Sequence, residues 1–442
     1  MKKPFQSPGY LFLILILLIF NSCSTTKKLS REFDENFKNS EAFKKGIVGF
    51  MVYDPKSKKV LYDHNSEKNF TPASNTKLFT FYTGLKILGD SVPALKYGIY
   101  NDSLVFKGTG DPTFLHYKFP DSEVLEYLEK RKENLFYILP NFTEEFFGPG
   151  WAWDDYNWYY SVERGDFPIY GNVAKFTFKP GIMIPEVEPF YFANLVGPDS
   201  TYTGKSSLTT RDFYGNKFIF QHSKESKGRV QEVPFKYSPR LVADLLSDTL
   251  NKPVTLIQKV PQHFLPLKTL YSIPADSLYK SMLQESDNFF AEQILLMSAE
   301  KISDTLKTQI AIDFMKKGHL QVLPDEINWV DGSGLSVYNL FTPRAIVKLL
   351  ELIGEEVPRE RLFKLLPAGG KSGTLKNSYK AETPYIFAKT GTLSNTHTLS
   401  GFLITKNGKV LIFSFMNDNY TIPTARLKQE MEKVLISVRE NF

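Results

Sequence analysis

Residues 71–80 read TPASNTKLFT, and the meaning given to this stretch decides how the rest of the chain is understood. Pro72 and Ala73 precede Ser74, and an apolar periodic run follows. That pattern opens a helix with Ser74 in its first turn and Lys77 one turn on, on the same face. A serine and a lysine so placed can be a nucleophile and its base, or a helix cap beside a solvated cation. The spacing S-x-x-K cannot choose, because STTK (Ser24 to Lys27) and SLYK (Ser277 to Lys280) carry it too.

Two further strings narrow the choice. ESDNFFAEQ holds Ser286 and Asn288, the only S-x-N in the chain. FAKTGTLSN holds Lys389, Thr390 and Gly391, the only K-T-G, on an expected strand before a hairpin. A chance S-x-x-K is common in a chain this rich in serine and lysine, but S-x-x-K, S-x-N and K-T-G in that order form a specific set.

The chemistry gives each residue a role. A serine hydroxyl needs a base within hydrogen-bond reach. Lys77 can be that base only when neutral, so its pKa of ordinarily about 10.4 must be depressed by burial and nearby cations, with Lys389 the expected second cation. Ser286 suits relay of a proton to the departing amine. Asn288 offers an amide to hold substrate backbone and steady the lysine. Lys389 and Thr390 suit a terminal carboxylate, and Gly391 lets a substrate lie along the strand edge.

With these motifs the chain resembles the low-molecular-mass class C penicillin-binding proteins, the D-alanyl-D-alanine carboxypeptidase/endopeptidase family. PASNTKLFT, GDP (Gly110 to Pro112), W-x-W-D-D (Trp151 to Asp155), DGSGLS (331–336), TPR (342–344), SGTL (372–375) and KTGTL (389–393) carry the likeness over about residues 45–420. Members often have an arginine after DGSGLS and another after GTL; Val337 and KNSYK stand there instead. The resemblance implies an α/β (α+β) fold of the serine β-lactamase/D,D-peptidase type: an antiparallel sheet with helices on both faces, a helical subdomain and a large, mostly β insert. It implies an oxyanion hole from the backbone N–H of Ser74 and Thr392. The implied reaction is acyl-enzyme hydrolysis of peptidoglycan stem peptides, with β-lactams as covalent inhibitors and no cofactor. A β-lactamase-like hydrolase, or a slow wall-binding or β-lactam-sensing protein, are the other readings.

Other features bound these readings. The chain has 442 residues, is 14% aromatic and carries a net charge of +6, with no basic block suggesting nucleic acid. Six scattered histidines without HExxH, and one cysteine, exclude thiolate metal sites and internal disulfides and argue against a zinc hydrolase. Lys2 and Lys3 lead into the apolar YLFLILILLIF (10–20), too short to span a bilayer and fitting an export signal over residues 1–22. Cys23 stands where a lipoprotein carries its lipid, so a membrane anchor on the periplasmic side is expected, with incidental Cys23 behind a cleaved signal, or an uncleaved anchor, as alternatives.

Residues 23–45 read as a tether and first helix. Residues 46–97 and 265–442 read as the catalytic domain, with 98–264 inserted. Strands are expected around DPKSKK near the start and in a hairpin turned at KNGK near the end, all in one sheet, followed by a closing helix. Asp154 and Asp155, flanked by tryptophans and tyrosines, read as turn and packing residues rather than a glycosidase pair. Asp111 is expected to order its loop, and Asp331 and Ser333 to shape a turn.

Overall fold

Strands from the two ends of the chain pair with each other. In the computed structural model, which describes residues 29–180, 182–223 and 227–442, Ile47–Asp54 runs antiparallel to Val410–Asp418, with Phe50 opposite Phe415. The five-stranded antiparallel sheet has the order Ile386–Leu393, Thr396–Ile404, Val410–Asp418, Ile47–Asp54, Lys59–His64. Both expected hairpins are present. Asp54 accepts from the N–H of Lys56 and Ser57 in the first, and Gly408 takes φ +76° in the second, at its Asn-Gly turn.

The two faces of this sheet follow from the two-residue period of a strand. Phe50, Val52, Phe413 and Phe415 join a core with Phe33, Phe37, Leu427, Met431 and Val434 from the first and last helices. Gly49 and Tyr53 face the other way, toward helix Pro343–Glu356. A Cβ on Gly49 would lie 2.8 Å from Pro343, and the Tyr53 hydroxyl donates to Glu351 at 2.8 Å. Helices therefore cover both faces, as the α/β expectation requires.

The stretch expected to be a tether and first helix is helical over residues 29–39, and its Leu29, Phe33 and Phe37 are buried. The apolar residues of this charged segment recur every four positions, so successive turns bury one face. Cys23 and residues 24–28 lie outside the described residues, as does the export signal. Among the described residues no helix is long and apolar enough to cross a membrane.

Two compact units divide the chain: one of residues up to Asn75 with Leu323–Ile327 and Leu340–Phe442, the other of Thr76–Val322 with Asn328–Asn339. In the second, helix Asn288–Ser303 is buried on every side from Phe289 to Glu300, with Glu292, Gln293, Ser298 and Glu300 among its buried residues. A mixed five-stranded sheet has the order Val254–Ile257, Asn134–Ile138, Ser103–Gly108, Ser91–Tyr100, Lys268–Pro274. Two three-stranded sheets complete the middle of the chain. Ser91–Tyr100 and Lys268–Pro274 are antiparallel neighbours, so the chain leaves for the middle region and returns from it on adjacent strands.

Candidate active site

Within the first unit, Ser74 lies in a 3-10 turn, Ala73–Asn75, that runs directly into helix Thr76–Ile87; it precedes the α-helix rather than occupying its first turn. Ala73 is held at φ +45°, a left-handed conformation that costs an alanine roughly 1–2 kcal/mol. Surrounding bonds hold the turn in place. Asn75 N–H donates to the Pro72 carbonyl at 3.1 Å, Thr398 Oγ1 donates to the same oxygen at 2.9 Å, and the Asn75 side chain donates to Thr398 Oγ1. Ser74 is half-buried between buried neighbours.

The K-T-G strand, Ile386–Leu393, is the edge strand beside this turn. A Cβ on Gly391 would lie 2.5 Å from Thr398 Oγ1, 2.7 Å from the Pro72 oxygen and 2.9 Å from Ser74 N, so only glycine permits this approach. Lys389 is buried and donates to the Thr390 carbonyl at 2.7 Å. Thr390 Oγ1 meets Thr374 Oγ1 of SGTL at 2.8 Å. Thr392 is exposed, and its hydroxyl lies 2.8 Å from His397 Nδ1, directly across the hairpin. Burial, reinforced by Lys428, pushes the His397 imidazole down to about 3, so it is neutral at working pH.

Sequence reasoning passed over His397 and gave Thr374 no role. The register opposite Thr392 was the signal available for the histidine.

Within the second unit, Lys77 is fully buried and donates to Asn288 Oδ1 at 2.7 Å and to the Ser333 carbonyl at 2.6 Å. Burial pulls its ammonium down to about 8, while the charges of Asp331, Asp287 and Glu292 oppose the shift. Asn288 Nδ2 donates to the Tyr160 carbonyl at 2.9 Å, fixing the amide orientation. Ser286 (φ +60°) links helices Ala275–Glu285 and Asn288–Ser303, and Asp287 caps the second.

Asp331 builds the loop that presents Ser333. Its carboxylate accepts from Gly334 N and Asn339 Nδ2 at 2.8 Å, from Ser336 N at 2.7 Å and from Trp151 Nε1 at 3.0 Å. This is the turn-shaping part expected of it. Asp111 also behaves as expected, accepting from Thr113 N at 2.9 Å; its burial pushes the carboxyl up to about 6. Ser277 and Lys280 of SLYK point into solvent from their helix, and STTK lies outside the described residues.

The tryptophan-rich stretch forms the turn expected around its two aspartates. Asp154 and Asp155 sit in a 3-10 turn, and Asp155 accepts from Tyr160 at 2.8 Å. Trp153 is 76% exposed and lies edge-on to Phe213, while Trp158 is 40% exposed.

The family model described as D-Ala-D-Ala carboxypeptidase 3 (S13) matches residues 29–438. Haemophilus influenzae D-alanyl-D-alanine carboxypeptidase DacB is 23% identical over 84% of this chain and 85% of its own. The crystal structure of penicillin binding protein 4 (dacB) from Haemophilus influenzae superposes with a TM-score of 0.73 at 20% identity, covering 91% of this chain and 98% of that one. The same protein complexed with a β-lactam gives a TM-score of 0.70 at 18% identity, covering 94% and 99%.

Proposed function

The chain belongs to the D-Ala-D-Ala carboxypeptidase 3 (S13) family and is a serine D-alanyl-D-alanine carboxypeptidase, and we propose that Ser74 is its nucleophile and Lys77 its base. The observation that carries this assignment is the setting of Lys77: a lysine in a fully buried position, lowered to about 8, three residues after a serine in a strained turn. Asn288 Oδ1 and the Ser333 carbonyl are acceptors that a neutral amine can serve with its two N–H bonds, keeping its lone pair. The lone pair is then the group that takes the serine proton.

In this scheme Ser74 Oγ attacks the carbonyl between two D-alanines as its proton passes to Lys77. The oxyanion is met by the backbone N–H of Ser74 and Thr392, a type of contact that lowers the barrier by about 3–4 kcal/mol. Collapse breaks the peptide bond, and the proton moves from Lys77 through Ser286 to the departing D-alanine. Water then hydrolyses the acyl ester and returns the hydroxyl proton. Asn288 holds the substrate backbone, Lys389 and Thr390 bind the terminal carboxylate, and Gly391 leaves room along the strand edge. β-Lactams acylate Ser74 as mimics of the same substrate, as the complex of the Haemophilus protein suggests.

The substrate is the stem peptide of peptidoglycan, and cross-linked dimers are cut by the same groups. Residues 46–97 and 265–442 act as the catalytic domain around the 98–264 insert. An export signal over 1–22 and a lipid on Cys23 place the enzyme at the periplasmic face of an envelope membrane. Mass spectrometry of muropeptides incubated with the protein tests the reading. A pentapeptide should lose one D-alanine, and amidation of its C-terminus should cost at least about tenfold in kcat/KM, or about 1.4 kcal/mol. Equal turnover of acid and amide contradicts the role of Lys389 and Thr390.

A further inference from the structure

A buried ion pair stands behind Lys77 that this reaction scheme leaves without a task. Arg164 and Glu292 are 1% and 0% exposed, and Arg164 Nη1 lies 3.2 Å from Glu292 Oε2. Arg164 is itself anchored through Nη2, which donates to the carbonyls of Glu145 at 2.8 Å and Phe147 at 3.2 Å and lies 3.8 Å from Glu144. The other oxygen of Glu292 accepts from Ser333 N–H at 2.8 Å, and the carbonyl of that same Ser333 takes Lys77 Nζ at 2.6 Å. Glu292 also follows Asn288 by four residues on one helix, so both lie on one face. One turn of helix therefore reaches two acceptors of Lys77: Asn288 directly, and the Ser333 carbonyl through Glu292.

Stability alone is a weak reason for such a pair. Desolvating two charges offsets most of their attraction, and an apolar pair of the same volume often serves as well. The loop is also tight on its other side. A Cβ on Gly332 would lie 2.5 Å from the Ala291 carbonyl, and Thr80 Oγ1 donates to the Gly332 carbonyl at 2.6 Å. The Gly332–Ser333 segment is thus pinned from two helices, with Glu292 supplying a carboxylate to its N–H side.

We propose that Glu292, anchored by Arg164, is a positioning residue for the base: it holds the N–H of Ser333, the residue whose carbonyl receives Lys77, and its negative charge sets how readily Lys77 gives up its proton. The proposal rests on the assignment of Lys77 as base. Asp331 and Asp287 are the other carboxylates that act on Lys77, and Arg164 and Asp331 are the charges that act on Glu292. Burial and the Asp331 charge push the Glu292 carboxyl up to about 7, against the pull of Arg164. The sign of its effect on Lys77 is fixed: a negative charge favours the ammonium, so removing it makes the lysine neutral at lower pH.

Two substitutions separate the two roles. Glu292→Gln keeps an oxygen for Ser333 N–H and removes the charge; Glu292→Ala removes both. Acylation by a chromogenic cephalosporin is followed from acid to alkaline pH, beside a thermal melt of each variant. In Glu292→Gln the acid limb should move down by at least about half a pH unit, with the alkaline plateau within about fivefold of wild type. In Glu292→Ala the plateau should fall at least about tenfold with pre-acylation affinity nearly unchanged. A limb that stays put in the glutamine variant overturns the charge role, and a wild-type plateau in the alanine variant overturns the positioning role. Should the alanine variant fail to melt cooperatively, the glutamine limb decides alone. Ser74→Ala run in parallel keeps the two levels distinct. Acylation that persists there defeats the nucleophile assignment itself, whereas abolished acylation with an unmoved glutamine limb defeats only Glu292.

Discussion

The turn that holds Ser74 and the pocket that holds Lys77 solve opposite problems. Around Ser74 the devices are steric and neutral: an alanine at φ +45°, a glycine whose Cβ would collide with Ser74 N, paired hydroxyls, and an imidazole held neutral. Around Lys77 they are electrostatic: a buried amine, three carboxylates that oppose its neutral form, and an arginine clamping one of them. Shape sets the first region and proton affinity the second. Substitutions in the first should change rates without moving pH limbs, and charge changes in the second should move limbs. The chain joins the two regions in the three steps from Ser74 to Lys77.

The largest effect that could break this contrast is expected at the base. Lys77→Arg should fold yet lose acylation by at least about a thousandfold, because a guanidinium does not give up its proton in this range. Stopped-flow acylation within tenfold of wild type would remove Lys77 from the role.

Gly391→Ala comes next. With contacts of 2.7 and 2.9 Å to backbone atoms on the far side, the turn and the strand must separate. Acylation should fall about a hundredfold, or about 2.7 kcal/mol, with its pH midpoint unchanged. A shifted midpoint would mean that this region also tunes protons.

In wild type, acylation should rise with pH through about 8, since Lys77 is depressed to about 8 and acts when unprotonated. A flat profile from pH 6 to 9 would contradict a titrating base. The smallest change is expected from His397→Asn, which alters the Thr392 hydroxyl contact but removes no charge, because burial keeps the imidazole neutral far below working pH. A few-fold loss in kcat/KM with an unmoved limb is the expected result, and a limb displaced by a full unit would show that the histidine does titrate.

The same contrast explains how much could be read from the chain alone. Motifs that act through local chemistry were legible: S-x-x-K before an apolar run, a lone S-x-N, a lone K-T-G, and an Asn-Gly hairpin whose strands pair with the N-terminal ones. Asp331 was recognisable as a turn residue because its acceptors serve nearby N–H groups. Glu292 and Arg164 were not, because they meet across 128 positions and nothing local marks a buried charge. The helix start at Ser74 was legible, but its 3-10 turn was not, since bonds from Thr398, far along the chain, help hold it.

The most direct test of the account is to find which serine a β-lactam acylates. A fluorescent penicillin, followed by digestion and mass spectrometry, should place one adduct on the peptide containing Ser74, and Ser74→Ala should carry none. An adduct on the peptide containing Ser277, or labelling that persists in Ser74→Ala, would contradict the assignment on which both regions depend.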